Sequence, residues 1–404
     1  MAFFAMASVH ATILVPYIVL VPGERTNLFT VLVLTLPALQ LLLVKADTGL
    51  SWKNCIPWGV LALGLGASAL ASSDSQASAF RGLAFFLPAV SGIICGRFLL
   101  GPFASRVLAF KLFTICFAAL AGSHLIFGVM PSFMGLHHHA LAGMLLLLSS
   151  GPIYFACNSD RVWKTASVAL LGLGLYVCFA AGSRFVVLLP FALIPIYLAF
   201  KFISLRSSLA VLAVCAIIAG VFFYVFPDKV PHVVNYESVF YRVEAFPATL
   251  TIIKKHPLLG IGIRTSRIEH LQFFTPSFCI VSKDQFMAVV GNNVTWDNQY
   301  LSLLCGIGIP LTLLYLILAG RLLTGYFGKV WRHEIDRPSE KALTFALLAS
   351  VIHFSVHDGL YYPQIDWLFH VLLGAGFFCE QGAAESNADQ RRQSVPVPDA
   401  APVS

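Results

Sequence analysis

Residues 299–320 read QYLSLLCGIGIPLTLLYLILAG, an apolar run without a single charged side chain. Such a run is long enough to cross the hydrocarbon core of a bilayer, which takes about 20 residues of α-helix. Comparable runs recur along the chain, and each predicts a transmembrane helix. The predicted spans are residues 3–22, 27–45, 55–73, 82–101, 107–130, 140–157, 165–182, 185–203, 207–226, 299–320, 342–360 and 364–380.

The composition of the chain excludes a soluble enzyme. Of its 404 residues 58% are hydrophobic and only 11% are charged, whereas about 25% are charged in a typical soluble domain. The long runs also differ from the alternating segments of an outer-membrane barrel, which are about ten residues long. The sequence therefore predicts an all-α polytopic membrane protein, with about 12 transmembrane helices and one large periplasmic loop that contains short helices. The first span could instead be a signal peptide, but it lacks a basic start and a clear cleavage site.

The distribution of Lys and Arg predicts the orientation of these spans. With the N-terminus in the cytoplasm, cytoplasmic segments hold sixteen of the 26 basic residues, and short outer loops hold only Arg25, Arg81 and Arg184. Cytoplasmic loops normally carry this excess. We expect spans one to nine in residues 1–226, a periplasmic loop in 227–298, the last three spans in 299–380, and a disordered cytoplasmic tail in 381–404.

The predicted periplasmic loop begins with a helical pattern. Its apolar residues recur at spacings of three and four residues, at Tyr236, Val239, Phe240, Val243, Phe246, Leu250 and Ile253. This stripe predicts an amphipathic helix, which would lie at the membrane interface or cap the bundle. Arg242 falls beside the stripe, either as an arginine that snorkels to the surface or as a ligand for an anionic substrate.

Other residues of the outer side have two interpretations each. Gly260 and Gly262 predict a tight backbone turn, with a possible close approach to a ligand. Asp297, at the start of a span, is either the N-cap of a helix or an outward-facing general base. Arg184, at the edge of the hydrocarbon, either snorkels to lipid phosphate or has a functional role.

Three elements of this region resemble the O-antigen ligase and polymerase superfamily. They are Ala181-Gly182-Ser183-Arg184-Phe185, then Tyr241-Arg242 with the later run His256-Pro257-Leu258-Leu259-Gly260-Ile261-Gly262, and finally Asp297-Asn298-Gln299-Tyr300-Leu301 followed by Gly306-Ile307-Gly308. The order of the elements and their outer placement carry the resemblance. It covers about residues 165–320, and the topology extends it to the rest of the chain.

The resemblance implies a glycosyltransferase that takes a glycan from undecaprenyl diphosphate on the periplasmic side, without a metal or other cofactor. Arg184 and Arg242 would hold the diphosphate, and the family's histidine would act on the acceptor hydroxyl. That position is Asp297 here, and a carboxylate is a weaker base than imidazole unless its pKa is raised. Further predicted substrate contacts are Arg264, Arg267, His256, Asn298, Tyr300 and His139.

Two histidine motifs leave alternatives open. His357-Asp358, near the outer end of the eleventh span, either orients a base or packs as an ordinary polar pair, and packing is the favoured interpretation. His137-His138-His139 lacks a local carboxylate, and adjacent histidines do not share a helix face. We therefore predict no metal site there, and we assign His139 to the lining of the substrate pocket.

The predicted function is that of an O-antigen ligase in the bacterial inner membrane, with both termini in the cytoplasm and the active site in the periplasm. Its partners would be an undecaprenyl-diphosphate-linked glycan donor, a lipid A-core acceptor or a growing glycan, and membrane lipid. A polymerase that uses the same donor is the alternative. A transporter or flippase is disfavoured, because the sequence shows no internal repeat and its charges lie at the outer edge.

Overall fold

The fold is described from a computed structural model of the chain. It describes residues 28–43, 52–100, 103–127, 138–181, 183, 236–263, 298–331 and 338–375. Regular secondary structure in these ranges is helical throughout, which confirms the all-α class. The predicted spans at 3–22, 185–203 and 207–226, and the predicted tail, lie outside the described residues.

The described helices are named in chain order. They are α1 (Leu28–Leu43), α2 (Trp52–Ala71), α3 (Ser75–Leu100), α4 (Phe103–Phe127), α5 (His138–Leu148), α6 (Ser150–Asn158), α7 (Arg161–Ala180), α8 (Tyr236–Lys255), α9 (Gln299–Trp331), α10 (Pro338–His353) and α11 (Pro363–Gly374). A short 3₁₀ helix at Gly359–Tyr361 lies between α10 and α11.

Five of the described segments are long and apolar enough to cross a membrane. They are Ser75–Leu100, Arg106–Ile126, Ala140–Asn158, Arg161–Ala180 and Gln299–Thr324. Two shorter apolar helices cover Thr30–Leu43 and Cys55–Ala71. These segments support a multi-pass membrane protein, while the number of twelve spans stays a prediction.

Two predicted spans differ from the observed helices. The span predicted at 140–157 consists of α5 and α6, which meet at Ser149. The span predicted at 342–360 is wrong at its end, because α10 stops at His353 and residues 354–362 form turns. An Asp-Gly pair at Asp358-Gly359 favours a turn, and Pro363 fits the first position of the next helix. We call residues 354–362 the connector.

Helix α3 lies at the centre of the bundle and packs against α1, α2, α4 and α11. Its contact with α11 depends on two glycines. A methyl group at Gly92 would lie 2.8 Å from the Cβ of His370, and one at Gly96 would lie 2.6 Å from the carbonyl carbon of Val371. Small residues at such positions let two helices approach closely within a membrane.

The helix bundle has two distinct ends. At one end the turn after α8 contacts the residues between α2 and α3, and the backbone N–H of Gln299 donates to the carbonyl of Phe354 at 2.9 Å. We call this end, where α2 and α10 finish and α3 and α9 begin, the loop end. At the opposite end Arg106 joins the start of α4 to α10, since its Nη1 donates to the hydroxyl of Ser339 at 3.3 Å.

Candidate active site

The turn after α8 is fixed to a break in α9. At Gly308 the backbone of α9 is not helical, with φ 76° and ψ 175°. In an unbroken helix the carbonyl of Cys305 would accept from the N–H of residue 309, and that of Gly306 would face Pro310, which has no N–H. The break therefore leaves two carbonyls and one N–H of the apolar helix in need of partners.

The turn supplies all three partners. The N–H of Ile261 donates to the carbonyl of Cys305 at 2.8 Å, and that of Gly262 donates to Gly306 at 2.9 Å. In return, the N–H of Ile309 donates to the carbonyl of Pro257 at 2.9 Å. Because an unpaired backbone group costs several kcal/mol in a bilayer, these bonds join the turn strongly to α9.

Glycine is required at this junction. Gly260 and Gly262 have φ of 64° and 99°, which confirms the predicted tight turn. A methyl group at Gly260 would lie 2.6 Å from the carbonyl carbon of Gly306, and one at Gly262 would lie 2.7 Å from the Cβ of Ser72. The close approach that the glycines permit is therefore to the protein's own backbone and to Ser72, just after α2.

Serine hydroxyls attach the turn to α2 and α3 as well. The hydroxyl of Ser68 donates to the carbonyl of Leu259 at 2.6 Å and lies 3.1 Å from that of Gly306. The hydroxyl of Ser78 accepts from the N–H of Ile263 at 3.1 Å. The turn thus links α2, α3 and α9 at the loop end.

The start of α9 is capped by Asn298. Its Oδ1 accepts from the N–H groups of Tyr300 and Leu301 at 3.0 and 3.1 Å, and its Nδ2 donates to the carbonyl of Ser355 at 2.9 Å. The hydroxyl of Tyr300 donates to the carbonyl of Val351 at 2.8 Å. Asn298 therefore caps α9, and the side chains of Asn298 and Tyr300 both have structural roles. Their predicted contacts with substrate stay a prediction.

A buried polar cluster faces this helix start from the connector. Asp358 is only 1% exposed, and its Oδ1 accepts from the backbone N–H of Asn298 at 2.9 Å and from the hydroxyl of Ser302 at 2.8 Å. His353 and His357 are also buried, with ring centroids 5.3 Å apart. The packing interpretation of His357-Asp358 is thus supported, although Asp358 packs against the very motif that carries the predicted base.

The sequence analysis assigned no role to Ser302 or to Gln299, although Gln299 belongs to one of the family-like elements. The side-chain oxygen of Gln299 accepts from the N–H of Leu360 at 2.8 Å. Neither residue stands out in an apolar run, and both partners lie about sixty positions away along the chain. A polar residue on the first turn of a span was the one available signal, since such a residue needs a partner when it is buried.

Helix α8 has the predicted position, and its burial bears on the two alternatives for its apolar stripe, the membrane interface or the cap of the bundle. Its side chains that pack inward are small, at Ala248 and Thr249, together with Ile252, whereas Phe246 and Leu250 are 57% and 48% exposed. The predicted apolar stripe therefore faces outward over the described part of this helix. Such a face is typical of a helix at the membrane interface rather than one that caps a bundle.

The structure describes only some of the remaining predicted site residues. His256 follows α8 and is exposed, and Arg242 lies in α8. His139 lies in the first turn of α5, four residues before Gly143, where a methyl group would lie 3.7 Å from the Nδ1 of His353. Asp297, Arg184, Arg264 and Arg267 lie outside the described residues.

Helix α7 leads the chain toward the loop end. Gly151 and Tyr154 of α6 pack against α4 in antiparallel order, with the ring of Tyr154 stacked 4.5 Å from that of Phe110. The tight link from α6 to α7 reverses the chain again, so α7 runs parallel to α4, away from the end that holds Arg106. Beyond it, Ser183 is fully buried, and its N–H donates to the carbonyl of Cys178 at 2.8 Å.

No cluster of three or more His, Cys, Asp or Glu side chains arranged to hold a metal ion occurs within the described ranges. The polar groups at the loop end instead hold helix starts and turns together. These contacts give the turn at 256–263, the start of α9 and the connector defined relative positions.

Comparison with known proteins relates part of this chain to a family. A search of curated proteins finds no match to the chain. Residues 168–316 match the family model described as O-antigen ligase, and the matched stretch contains both arginine motifs, the glycine turn and the start of α9. The match supports a membrane enzyme of the O-antigen ligase or polymerase type. Residues 168–316 are therefore similar to the O-antigen ligase family, and this similarity supports the O-antigen ligase superfamily.

Proposed function

We propose that this protein is a glycosyltransferase that moves an O-antigen glycan from undecaprenyl diphosphate to the lipid A-core at the periplasmic face of the inner membrane. The observation that carries the proposal is the family match over residues 168–316. It contains every residue to which we assign a role in the chemistry, namely Arg184, Arg242 and Asp297.

The two arginines would stabilise the leaving group. As the bond between the sugar and the diphosphate breaks, negative charge builds on the diphosphate oxygens. A guanidinium can donate two parallel hydrogen bonds to such an anion. A well-placed donor in a partly dry site lowers the barrier by about 3 kcal/mol. Arg184 and Arg242 would thus do the work that a divalent cation does in other transferases.

Asp297 would take the proton from the acceptor hydroxyl as that oxygen attacks the sugar. Attack from the face opposite to the diphosphate inverts the configuration of the anomeric carbon. A positioned general base contributes about 10²–10⁴-fold to such a step. Arg264, Arg267, His256 and His139 would contact the glycan or the lipid headgroup around these groups.

The observed frame supports a common pocket for these residues. Arg242 lies in α8, whose end is fixed to α9 by the turn at 256–263. Asp297 immediately precedes the cap of α9, and Arg184 follows Ser183 beyond the end of α7. The described parts of three chain segments, each adjacent in sequence to or containing one proposed group, reach the loop end, and this supports the proposal.

The test is transfer by the purified full-length protein in detergent or nanodiscs. An undecaprenyl-diphosphate-linked glycan is the donor, and lipid A-core or a second lipid-linked glycan is offered as the acceptor in separate reactions. Glycosylated lipid A-core supports the ligase. Lengthened lipid-linked glycan shows the alternative, a polymerase that uses the same donor. Absence of both products from folded protein would contradict the proposed enzyme.

A further inference from the structure

Helix α7 borders a cavity of about 230 Å³ in the helix bundle. It contributes Leu171, Gly174, Leu175 and Cys178 to the lining, and the other walls come from α4, α5, α6 and α10. Helices α4 to α7 belong to three of the segments that are long and apolar enough to cross a membrane. The cavity, which we call the α7 cavity, therefore lies within the hydrocarbon region that these segments predict.

The lining of the α7 cavity favours a hydrocarbon ligand. Among the described residues no charged side chain lines it, and the thiol of Cys178 behaves as a small apolar group. Its hydroxyl, that of Ser149, already donates to the carbonyl of Leu146 at 2.6 Å. An apolar cavity of about 150 Å³ stays free of water and binds small apolar molecules. We therefore expect an apolar group, rather than water, in the larger α7 cavity.

The cavity reaches the outer surface of the bundle between α6, α7 and α10. Ile153, Leu171, Leu175 and Phe345 are half-buried, whereas the remaining lining residues are buried. Beside this edge, Tyr176 of α7 is 58% exposed, as expected for an apolar side chain that faces lipid. The edge of the cavity is thus continuous with a surface that contacts the bilayer, so lipid chains have access to it.

The position of the cavity along α7 indicates the leaflet that it faces. Because an α-helix rises about 1.5 Å per residue, Cys178 lies about 3 Å and Leu171 about 14 Å from the end of α7 at Ala180. The hydrocarbon core is about 30 Å thick, so one leaflet supplies about 15 Å of it. Since α7 ends toward the loop end, the cavity lies at the depth of the loop-end leaflet.

We propose that the α7 cavity binds an acyl chain of a phospholipid from the leaflet at the loop end. A volume of about 230 Å³ holds about eight groups of the size of a water molecule, so it takes part of one chain while the headgroup stays at the membrane surface. The described lining offers no cation that would select a diphosphate, which favours a phospholipid over an isoprenoid diphosphate. The inference does not depend on the proposed function.

A bound chain would complete the packing of this side of the bundle. Atoms that line an empty space lack partners on one side and lose their dispersion contacts. An acyl chain restores these contacts and touches α6, α7 and α10 together. Because a ligand that binds only the folded protein stabilises it, added phospholipid should raise the Tm of delipidated protein.

Photo-crosslinking in nanodiscs tests the site directly. The purified full-length protein is reconstituted with increasing fractions of a phospholipid that carries a diazirine in the middle of its acyl chain, and labelled residues are identified by mass spectrometry. We expect labels on Leu171, Leu175 and Phe345 that saturate, since one site fills. Val168 is the matched control on the same helix, because it is 55% exposed, and its labelling should keep rising with the probe.

Filled variants distinguish the cavity from the surrounding lipid. Leu171→Trp places a larger side chain at the edge of the cavity and should abolish labelling of Phe345 while Val168 is labelled as in the parent. Leu175→Phe serves the same purpose where Leu171→Trp does not fold. The rise in Tm that added phospholipid causes in the delipidated parent should be absent from the filled variant.

Three results would overturn the proposal. Labelling of Phe345 that rises in parallel with that of Val168, without saturation, would show ordinary surface lipid. Absence of label from the cavity lining would show that no chain enters. The third is labelling of the lining by a diazirine-bearing polyprenyl diphosphate that excess phospholipid does not displace, which would assign the cavity to an isoprenoid chain instead.

Discussion

At the scale of single residues, the glycines of the loop end are the positions that tolerate least change. Gly260, Gly262 and Gly308 all have positive φ, a conformation that costs an L-residue about 1–2 kcal/mol. Gly308 adds a steric reason, because a methyl group there would lie 2.8 Å from the nitrogen of Leu259. The backbone conformation and the close contacts at these positions thus both require glycine.

Gly260→Ala should detach the turn from α9. Its methyl group would meet the backbone of Gly306, which cannot move aside as a flexible side chain could. We expect the Tm in detergent to fall, with a loss of about 1–3 kcal/mol in the free energy of unfolding, and transfer activity to fall with it. Gly172→Ala is the control, because nothing lies within 4 Å of a methyl group there. An unchanged Tm for Gly260→Ala would contradict the observed junction.

At the scale of elements, helices pack closely wherever small residues face each other. The contact between α3 and α11 is the clearest case, with Gly92 and Gly96 against His370 and Val371. Helix α11 follows the connector directly, so its position against α3 also sets where the connector and Asp358 lie. Packing deep in the bundle is thus coupled to the loop end.

Gly96→Ala should push α11 away from α3, since the added methyl group would lie 2.6 Å from the carbonyl carbon of Val371. We expect a loss of about 1–3 kcal/mol in stability, measured as a lower Tm. Gly66→Ala, in α2, has open space around the new methyl group and should keep the parent Tm. Equal Tm values for the two variants would argue against this helix contact.

Apolar runs made these elements predictable, because a helix that crosses a bilayer must be long and apolar. The turn at Gly260 and Gly262 was also predictable, since glycine favours such conformations. The attachment of that turn to α9 could not be predicted, because Gly306-Ile307-Gly308 reads as part of an uninterrupted span. The hydrogen bonds that Asp358 accepts could not be predicted either. Its donors are distant in sequence, and they approach Asp358 only through packing that no local pattern records.

At the scale of the whole molecule, the two ends of the bundle differ in chemistry. The loop end carries the turn, the cap of α9 and the connector. The opposite end carries Arg161, exposed at the start of α7, and the contact of Arg106 with Ser339. The predicted orientation places the loop end in the periplasm and the opposite end in the cytoplasm.

Cysteine labelling in spheroplasts tests that orientation. In a variant whose native cysteines are replaced by alanine, Lys254→Cys should react with a membrane-impermeant maleimide, because Lys254 is exposed in α8. Arg161→Cys should react only after the membrane is permeabilised. The reverse pattern would place the loop in the cytoplasm, where the periplasmic acceptor is absent.

The central claim is that Arg184 and Arg242 stabilise the departing diphosphate, and the transfer rate of their alanine variants tests it most directly. Each variant is purified, checked for folding and compared with Arg161→Ala, which removes an exposed arginine at the opposite end. We predict that Arg184→Ala and Arg242→Ala each lose at least about 10²-fold in kcat, the usual effect of removing one such donor, while Arg161→Ala keeps the parent rate. Full transfer by both loop-end variants would contradict the account.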